Sequence, residues 1–230
     1  MTLNFMAGAA ATTALFVPVA LVLYGRLFKN GSLLALFFYY LLAGVYNAMT
    51  LKAIPVSLLF LQNAAVVFNY LDTLLMLVVL LFFCNTHRKR RVVIGSFILF
   101  AAFEVVIAFL YGLDEKSSTF ILGPGTLLIL GFSLFFFAQY GKLTVVKGKV
   151  RGKTLMLVSL LFSYGCFLVL YYLHYLVQTP AVADVFFIYY LVTFIATVLM
   201  SMGLVWVIKR MREINERQTT RKELALFFEK

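Results

Sequence analysis

Seven long apolar runs follow one another along the 230-residue chain, with short polar or basic turns between them. About 20 apolar residues in helical conformation can cross a bilayer, because each residue adds about 1.5 Å. Within lipid, a helix satisfies all of its backbone polar groups internally. We therefore predict an all-α membrane protein, a bundle of seven transmembrane helices. The predicted spans are 10–27, 32–51, 57–83, 92–113, 119–140, 154–177 and 182–208.

The basic residues are distributed unevenly between the turns. All 20 lysines and arginines except Lys52 and Lys116 fall in the first, third and fifth turns or after residue 208. Because cytoplasmic loops are enriched in lysine and arginine, we predict an outside N-terminus and a cytoplasmic C-terminus, in a plasma (inner) membrane. The formal charge of +11 then suits contact with anionic headgroups at the cytoplasmic face, and it does not indicate nucleic-acid binding.

Residues 209–230 form a basic tail after the last predicted span. Within it, 220–223 (Thr-Arg-Lys-Glu) resembles a capping box, and Leu224, Leu226 and Phe227 follow. We expect an amphipathic helix on the cytoplasmic membrane surface. The tail is also where a cytoplasmic partner, or a second copy of the chain in a homo-oligomer, would dock.

Two carboxyl groups are predicted to lie deep in the membrane. Asp72 is about halfway along the third span and Glu104 is near the middle of the fourth, whereas no lysine or arginine lies inside any predicted span. A charged carboxylate facing lipid costs about 2.5–3.5 kcal/mol, so both should face protein or water and tend to keep their protons. Each is a proton relay, an ion site or a ligand anchor, or else a neutral hydrogen-bonded packing residue.

Other polar residues are candidates for the same interior. Asn69 and Thr73 fall near the helical face of Asp72. Tyr164 is too deep for the aromatic belt at the membrane interface, so we expect it to face the interior with Asp72. Four residues near the outer ends of the last two spans could line an outer cavity: Tyr171, His174, Tyr175 and Asp184.

Two stretches have sequences that are typical of turns or kinks. Gly123-Pro124-Gly125 predicts a kink, or a late start, in the fifth span. The alternating pattern of 142–153 is compatible with a short hairpin.

Histidines and cysteines lack metal-ligand spacing, and no serine, histidine and acid group together as a triad. We therefore expect binding or transport rather than catalysis, and no metal.

The stretch 69–74 (Asn-Tyr-Leu-Asp-Thr-Leu) resembles the third-helix motif of microbial rhodopsins, Arg-Tyr-x-Asp-Trp. The seven spans, the outside N-terminus and the chain length are similar to the layout of that family. The resemblance implies that Asp72 is at the counter-ion position and that Glu104 matches a polar residue found midway along the fourth helix. The arginine of the motif is Asn69 here, and its tryptophan is Thr73.

The seventh span lacks the lysine that binds retinal in that family, because the chain has none there before Lys209. If Gly203 matches the glycine that follows the retinal lysine, Leu199 stands at the position of the lysine. Without an amine there is no Schiff base. The resemblance then implies neither covalent retinal nor light-driven pumping.

The predicted interior is rich in aromatic residues and free of cations, with a few polar anchors. This mix is typical of a ligand pocket. We therefore predict an opsin-like receptor or small-ligand binding protein for a neutral apolar or lipid-like molecule, held non-covalently. The alternative is a proton-coupled transporter or channel that uses the two deep carboxyls. A third possibility is an intramembrane enzyme that acts on lipid. The anchors are Asp72, Glu104, Asn69, Thr73 and Tyr164.

Overall fold

A computed structural model describes residues 3–147, 150–173 and 182–228, with the side chains of 115, 146–147, 182–184, 215 and 218–228 excepted. Apart from short turns, the described chain is helical throughout. Seven helices are long and apolar enough to cross a membrane, which confirms the prediction of an all-α chain with seven helices of that kind. The helices are α1 Leu3–Tyr24, α2 Gly31–Thr50, α3 Leu58–Leu80, α4 His87–Tyr111, α5 Glu115–Lys147, α6 Arg151–Tyr171 and α7 Val182–Phe228.

The helices form a ring that α7 closes against α1. Around the ring α1 packs on α2, α2 on α3, α3 on α5, α5 on α6 and α6 on α7. Because α3 contacts α5 directly, α4 lies outside the ring, against α3 and α5. Its buried residues, Val93, Phe100, Glu104 and Ile107, form one helical stripe. A polar group on α4 therefore approaches the interior only along the α3–α5 contact.

The turns divide between two ends of the bundle. The end with the α1–α2, α3–α4 and α5–α6 turns carries most of the lysines and arginines, and we call it the basic end. The other end, with the α2–α3 and α4–α5 turns, is called the opposite end.

At the basic end, side chains from α5 and α6 hold the end of α3. A 3₁₀ turn, Leu81–Phe83, follows α3, and the last carbonyls of a helix lack intrahelical donors. The Tyr140 hydroxyl donates to the Phe83 carbonyl at 2.9 Å, and Lys153 Nζ donates to the Phe82 carbonyl at 2.8 Å. Lys153 Nζ also lies 4.4 Å from the centroid of the Phe82 ring. A cation at a helix C-terminus is favourable, so this contact fixes α3 to its neighbours.

The helices α6 and α7 are in tight contact at two glycines. A Cβ built on Gly203 would lie 2.6 Å from Met156 Cγ and 2.9 Å from the Gly152 carbonyl oxygen. No side chain fits between the two backbones. Small residues at such contacts are a usual feature of membrane helix pairs, where association depends on packing.

Helix α5 differs from the sequence-based expectations at both ends. It begins at Glu115 and runs without a break past Pro124, so a late start of the fifth span is wrong. Asp114 and Ser117 cap its start, since the Ser117 N–H donates to Asp114 Oδ1 at 2.8 Å and the Asp114 N–H donates to Ser117 Oγ at 3.2 Å. The hairpin expected over 142–153 is also wrong, because α5 continues to Lys147 and α6 begins at Arg151.

The tail is part of α7. The helix is uninterrupted from Val182 to Phe228, so no new helix starts at the capping-box sequence 220–223. Charged residues that prefer helix, such as Lys, Arg and Glu, continue the last span beyond Ile208. The tail therefore leaves the bundle as an extension of α7.

Candidate functional site

The Asp72 carboxyl on α3 meets tyrosines from two other helices. Tyr164 on α6 is only 2% exposed. Its hydroxyl donates to this carboxyl and lies 3.2 Å from each of the two carboxyl oxygens. The hydroxyl of Tyr39 on α2 is close enough to interact with both the carboxyl and the Tyr164 hydroxyl. We call Asp72, Tyr39 and Tyr164 the Asp72 cluster. It joins α2, α3 and α6.

The Asp72 carboxyl keeps free hydrogen-bonding capacity. Tyr39 and Tyr164 are buried, whereas Asp72 is half-buried, so Asp72 is the most accessible residue of the cluster. A carboxylate has about four lone-pair sites, of which two tyrosine hydroxyls occupy two at most. An N–H or O–H group that reaches the carboxyl therefore finds an acceptor there.

Half-buried aromatic rings line the approach to the Asp72 cluster. Tyr46 stacks on Phe68 with 5.8 Å between ring centroids, and Phe167 stacks on Tyr189 at 5.7 Å. Tyr164 meets the Phe167 ring edge-on at 6.1 Å. Along their helices, Tyr46, Phe68, Phe167 and Tyr189 all lie between the cluster and the opposite end. These rings therefore form an aromatic layer between the Asp72 cluster and the opposite end.

Two further polar side chains lie near this layer. Asn47 on α2 and Thr193 on α7 are buried, and both lie close to the Tyr189 hydroxyl. Asn47 Nδ2 and Thr193 Oγ1 have no hydrogen-bond partner within the described part of the chain. Buried polar groups are normally paired, and the Tyr189 hydroxyl is a polar group within reach of both side chains.

Glu104 lies apart from the Asp72 cluster, on the buried stripe of α4. It is 4% exposed, and its Oε1 atom has no hydrogen-bond partner among the described residues. It is nevertheless close enough to Asp72 for the two carboxyl groups to affect one another electrostatically. The two predicted deep carboxyls thus occupy different environments, one held by hydroxyls and one unsatisfied.

The polar stripe expected on α3 divides between two contacts. Thr73, 1% exposed, packs against Gly125 of α5 beside the Phe100 ring of α4, whereas Asp72 faces α2 and α6. Asn69 is half-buried one turn before Thr73. Successive helical residues differ by about 100° in direction, and this separates Thr73 from Asp72. Thr73 is therefore a packing residue of the α3–α4–α5 contact in this structure.

The other expected site residues are scattered or undescribed. The Tyr171 hydroxyl donates to the Thr119 carbonyl at 3.2 Å, which ties α6 to the first turns of α5. Leu199, at the lysine-equivalent position, is half-buried on α7. His174, Tyr175 and the side chain of Asp184 lie outside the described residues, so the expected outer cavity is represented by Tyr171 alone. Within the described ranges, no group of three His, Cys, Asp or Glu side chains could hold a metal ion.

Sequence reasoning missed Tyr39, Asn47 and Thr193. Tyr39 reaches Asp72, whereas the adjacent Tyr40 interacts with Ser159 and Thr197. Asn47, a polar residue within an apolar run, was the available signal.

Comparisons with known proteins leave this geometry to be interpreted on its own. The chain matches no protein-family model, and no curated protein or solved structure matches it.

Proposed function

We propose that this protein is a membrane receptor or binding protein that holds a small, largely apolar molecule inside its helix bundle. The supporting observation is the half-buried Asp72 carboxyl, which Tyr164 and Tyr39 orient beneath stacked aromatic rings. A hydroxyl or amine of the ligand would donate to Asp72, and its apolar body would pack on Phe68 and Phe167. An apolar lining with a few convergent polar groups is typical of small-molecule sites.

The proposed similarity to opsins rests on the sequence of residues 69–74 and on the layout of seven apolar helices. Because α7 carries no lysine before Lys209, a polyene such as retinal would bind without a Schiff base. Leu199 would then contribute only apolar surface. The proposed ligand is therefore non-covalent, and the alcohol form of a polyene suits Asp72 better than the aldehyde, since only the alcohol donates a hydrogen bond.

Native mass spectrometry tests the proposal. The protein would be purified in mild detergent from cells supplied with retinal or retinol, and an absorbance spectrum of the same sample would be recorded. We expect one small molecule per chain in the wild-type protein and at least a tenfold lower occupancy in Asp72→Ala, since a hydrogen bond to a charged group contributes about 1.5–3 kcal/mol. Glu104→Gln is the control and should keep the ligand. An apo mass in every sample would overturn the proposal.

Glu104 favours a second candidate function, a proton-coupled transporter or channel. A buried carboxyl with an unsatisfied oxygen, electrostatically linked to Asp72, is the arrangement expected of a relay site. In liposomes this function predicts a pH-dependent flux that Asp72→Ala and Glu104→Gln each abolish. Flux that is absent, or unchanged in both variants, would count against it.

We further propose that the basic end faces the cytoplasm of a cell whose plasma membrane holds the protein, with the N-terminus outside. The cysteines Cys84 and Cys166 can be replaced by serine, and single cysteines then introduced as Lys52→Cys and Arg91→Cys. A membrane-impermeant maleimide should label Lys52→Cys on intact cells, and Arg91→Cys only after permeabilisation. The reverse pattern would overturn the orientation.

A further inference from the structure

A groove lies between α1 and α7 at the basic end, away from the Asp72 cluster. It encloses about 350 Å³. Its membrane side is apolar and is formed by Leu21 of α1 with Val205 and Ile208 of α7. The apolar run of α7 ends at Ile208, and Lys209, Arg210 and Arg212 follow it. Because basic residues are enriched where a span leaves the hydrocarbon, this part of α7 reaches the headgroup level.

The next part of the groove is cationic. Lys209 and Arg212 line it, one turn further along α7 than Val205 and Ile208. The Arg212 guanidinium lies 5.0 Å from the centroid of the Tyr24 ring, so Tyr24 at the end of α1 fixes its position across the groove. Two cations at this depth are suited to a phosphate, because basic pockets between membrane helices bind lipid headgroups.

The outermost part of the groove is acidic, formed by Glu213 and Glu216. From the bundle outward, the lining of α7 is thus apolar, then basic, then acidic. A phospholipid with an ethanolamine headgroup has the same order: acyl chain, phosphate, ammonium. A purely anionic headgroup would meet the two carboxylates unfavourably, and a choline headgroup has no N–H to donate to them.

We propose that the groove between α1 and α7 is a binding site for an ethanolamine phospholipid. Lys209 and Arg212 hold the phosphate, and Glu213 and Glu216 accept hydrogen bonds from the ammonium. The first acyl carbons lie on Leu21 and Val205. The site is separate from the Asp72 cluster, so it stands whether or not that cluster binds a ligand.

The test is native mass spectrometry of the full chain in detergent, titrated with palmitoyl-oleoyl phosphatidylethanolamine, phosphatidylglycerol or phosphatidylcholine. We expect the wild-type protein to retain the ethanolamine lipid preferentially. Lys209→Gln with Arg212→Gln should weaken binding of the ethanolamine lipid about 30-fold, given about 1 kcal/mol for each basic residue at a membrane surface. Glu213→Gln with Glu216→Gln should weaken it roughly tenfold, with no loss for phosphatidylglycerol.

A matched control removes the same charge from the same end of the bundle. Arg88 and Arg91 are exposed at the start of α4, and the double variant Arg88→Gln with Arg91→Gln should retain the ethanolamine lipid as the wild-type protein does. Equal retention of the three lipids by the wild-type protein would overturn the proposal. So would a control that weakens binding as much as Lys209→Gln with Arg212→Gln, since that result indicates unspecific attraction. The proposal would also be overturned if the wild-type protein preferred phosphatidylglycerol and the double variant Glu213→Gln with Glu216→Gln showed the same preference.

Discussion

At the scale of single residues, two tyrosine hydroxyls take the place that a cation would have beside a buried carboxylate. Asp72 has no lysine or arginine within the predicted spans to pair with, and Tyr164 and Tyr39 supply polar contacts instead. Hydroxyls can donate to an ionised carboxyl and accept from a protonated one. The same cluster can therefore hold Asp72 in either state, which suits both proposed functions.

Removing one of these hydroxyls should cost stability. Tyr164→Phe leaves the ring in place but takes away the donor to Asp72, and we expect a loss of about 1–3 kcal/mol, the usual cost of stranding a buried polar group. The measurement is reversible denaturation in detergent. Tyr172→Phe, directly after the end of α6, is the control, because Tyr172 is 54% exposed and its change should alter stability by less than about 0.5 kcal/mol. Equal effects in both variants would argue against the hydrogen bond.

At the scale of helices, the end of α3 depends on its neighbours. Tyr140 donates to the Phe83 carbonyl and Lys153 donates to the Phe82 carbonyl. No backbone N–H group of α3 donates to these two carbonyls. We expect Tyr140→Phe to cost about 0.5–1.5 kcal/mol and Lys153→Met somewhat more, since the cation is also lost. Thermal unfolding measures both. Lys142→Gln, an exposed change on α5, should leave the unfolding temperature unaltered; a comparable shift there would indicate a general charge effect.

The contact between α6 and α7 offers a comparison of two glycines. Gly203→Ala places a methyl group against Met156 and the Gly152 backbone, so we expect a loss of about 1–3 kcal/mol from overpacking. A Cβ on Gly165, also helical, would meet no described atom within 4 Å. Gly165→Ala should be neutral, or stabilise by up to about 1 kcal/mol through helix propensity. Unfolding by denaturant would distinguish the two, and equal stability would contradict close helix packing.

At the scale of the molecule, the number of helices could be predicted because lipid requires long apolar helical runs. Sequence patterns that are typical of turns predicted the ends of the helices less reliably. Gly123-Pro124-Gly125 and 142–147 lie inside α5, where glycine and proline are tolerated more readily than in soluble helices. The position of α4 outside the ring was not predictable, since it depends on the direct contact between α3 and α5.

The candidate site was predictable only in part. Depth alone suggested that Tyr164 and Asp72 face the same interior, and the two form a hydrogen bond. Tyr39 was not identified, because the sequence does not show which face of α2 meets α3. Thr73 was grouped with Asp72 by spacing, yet the ring of helices directs it toward α5. Rotation of each helix about its axis is set by packing, and sequence spacing does not contain it.

The two deep carboxyls should respond to substitution with opposite signs. Glu104 has an unsatisfied oxygen on α4, and an unpaired buried polar group costs about 1–3 kcal/mol, so Glu104→Met should stabilise the protein by a comparable amount. Asp72→Leu should destabilise it, because the hydroxyls of Tyr164 and Tyr39 lose their acceptor. Denaturation of both variants in detergent measures this.

The opposite stability effects expected for Glu104→Met and Asp72→Leu also bear on function. A residue that lowers stability is kept when activity requires it, so Glu104→Met should combine higher stability with loss of the pH-dependent flux described above. If Glu104→Met instead lowers stability as Asp72→Leu does, Glu104 is a satisfied structural residue, and the argument for a relay between the two carboxyls fails.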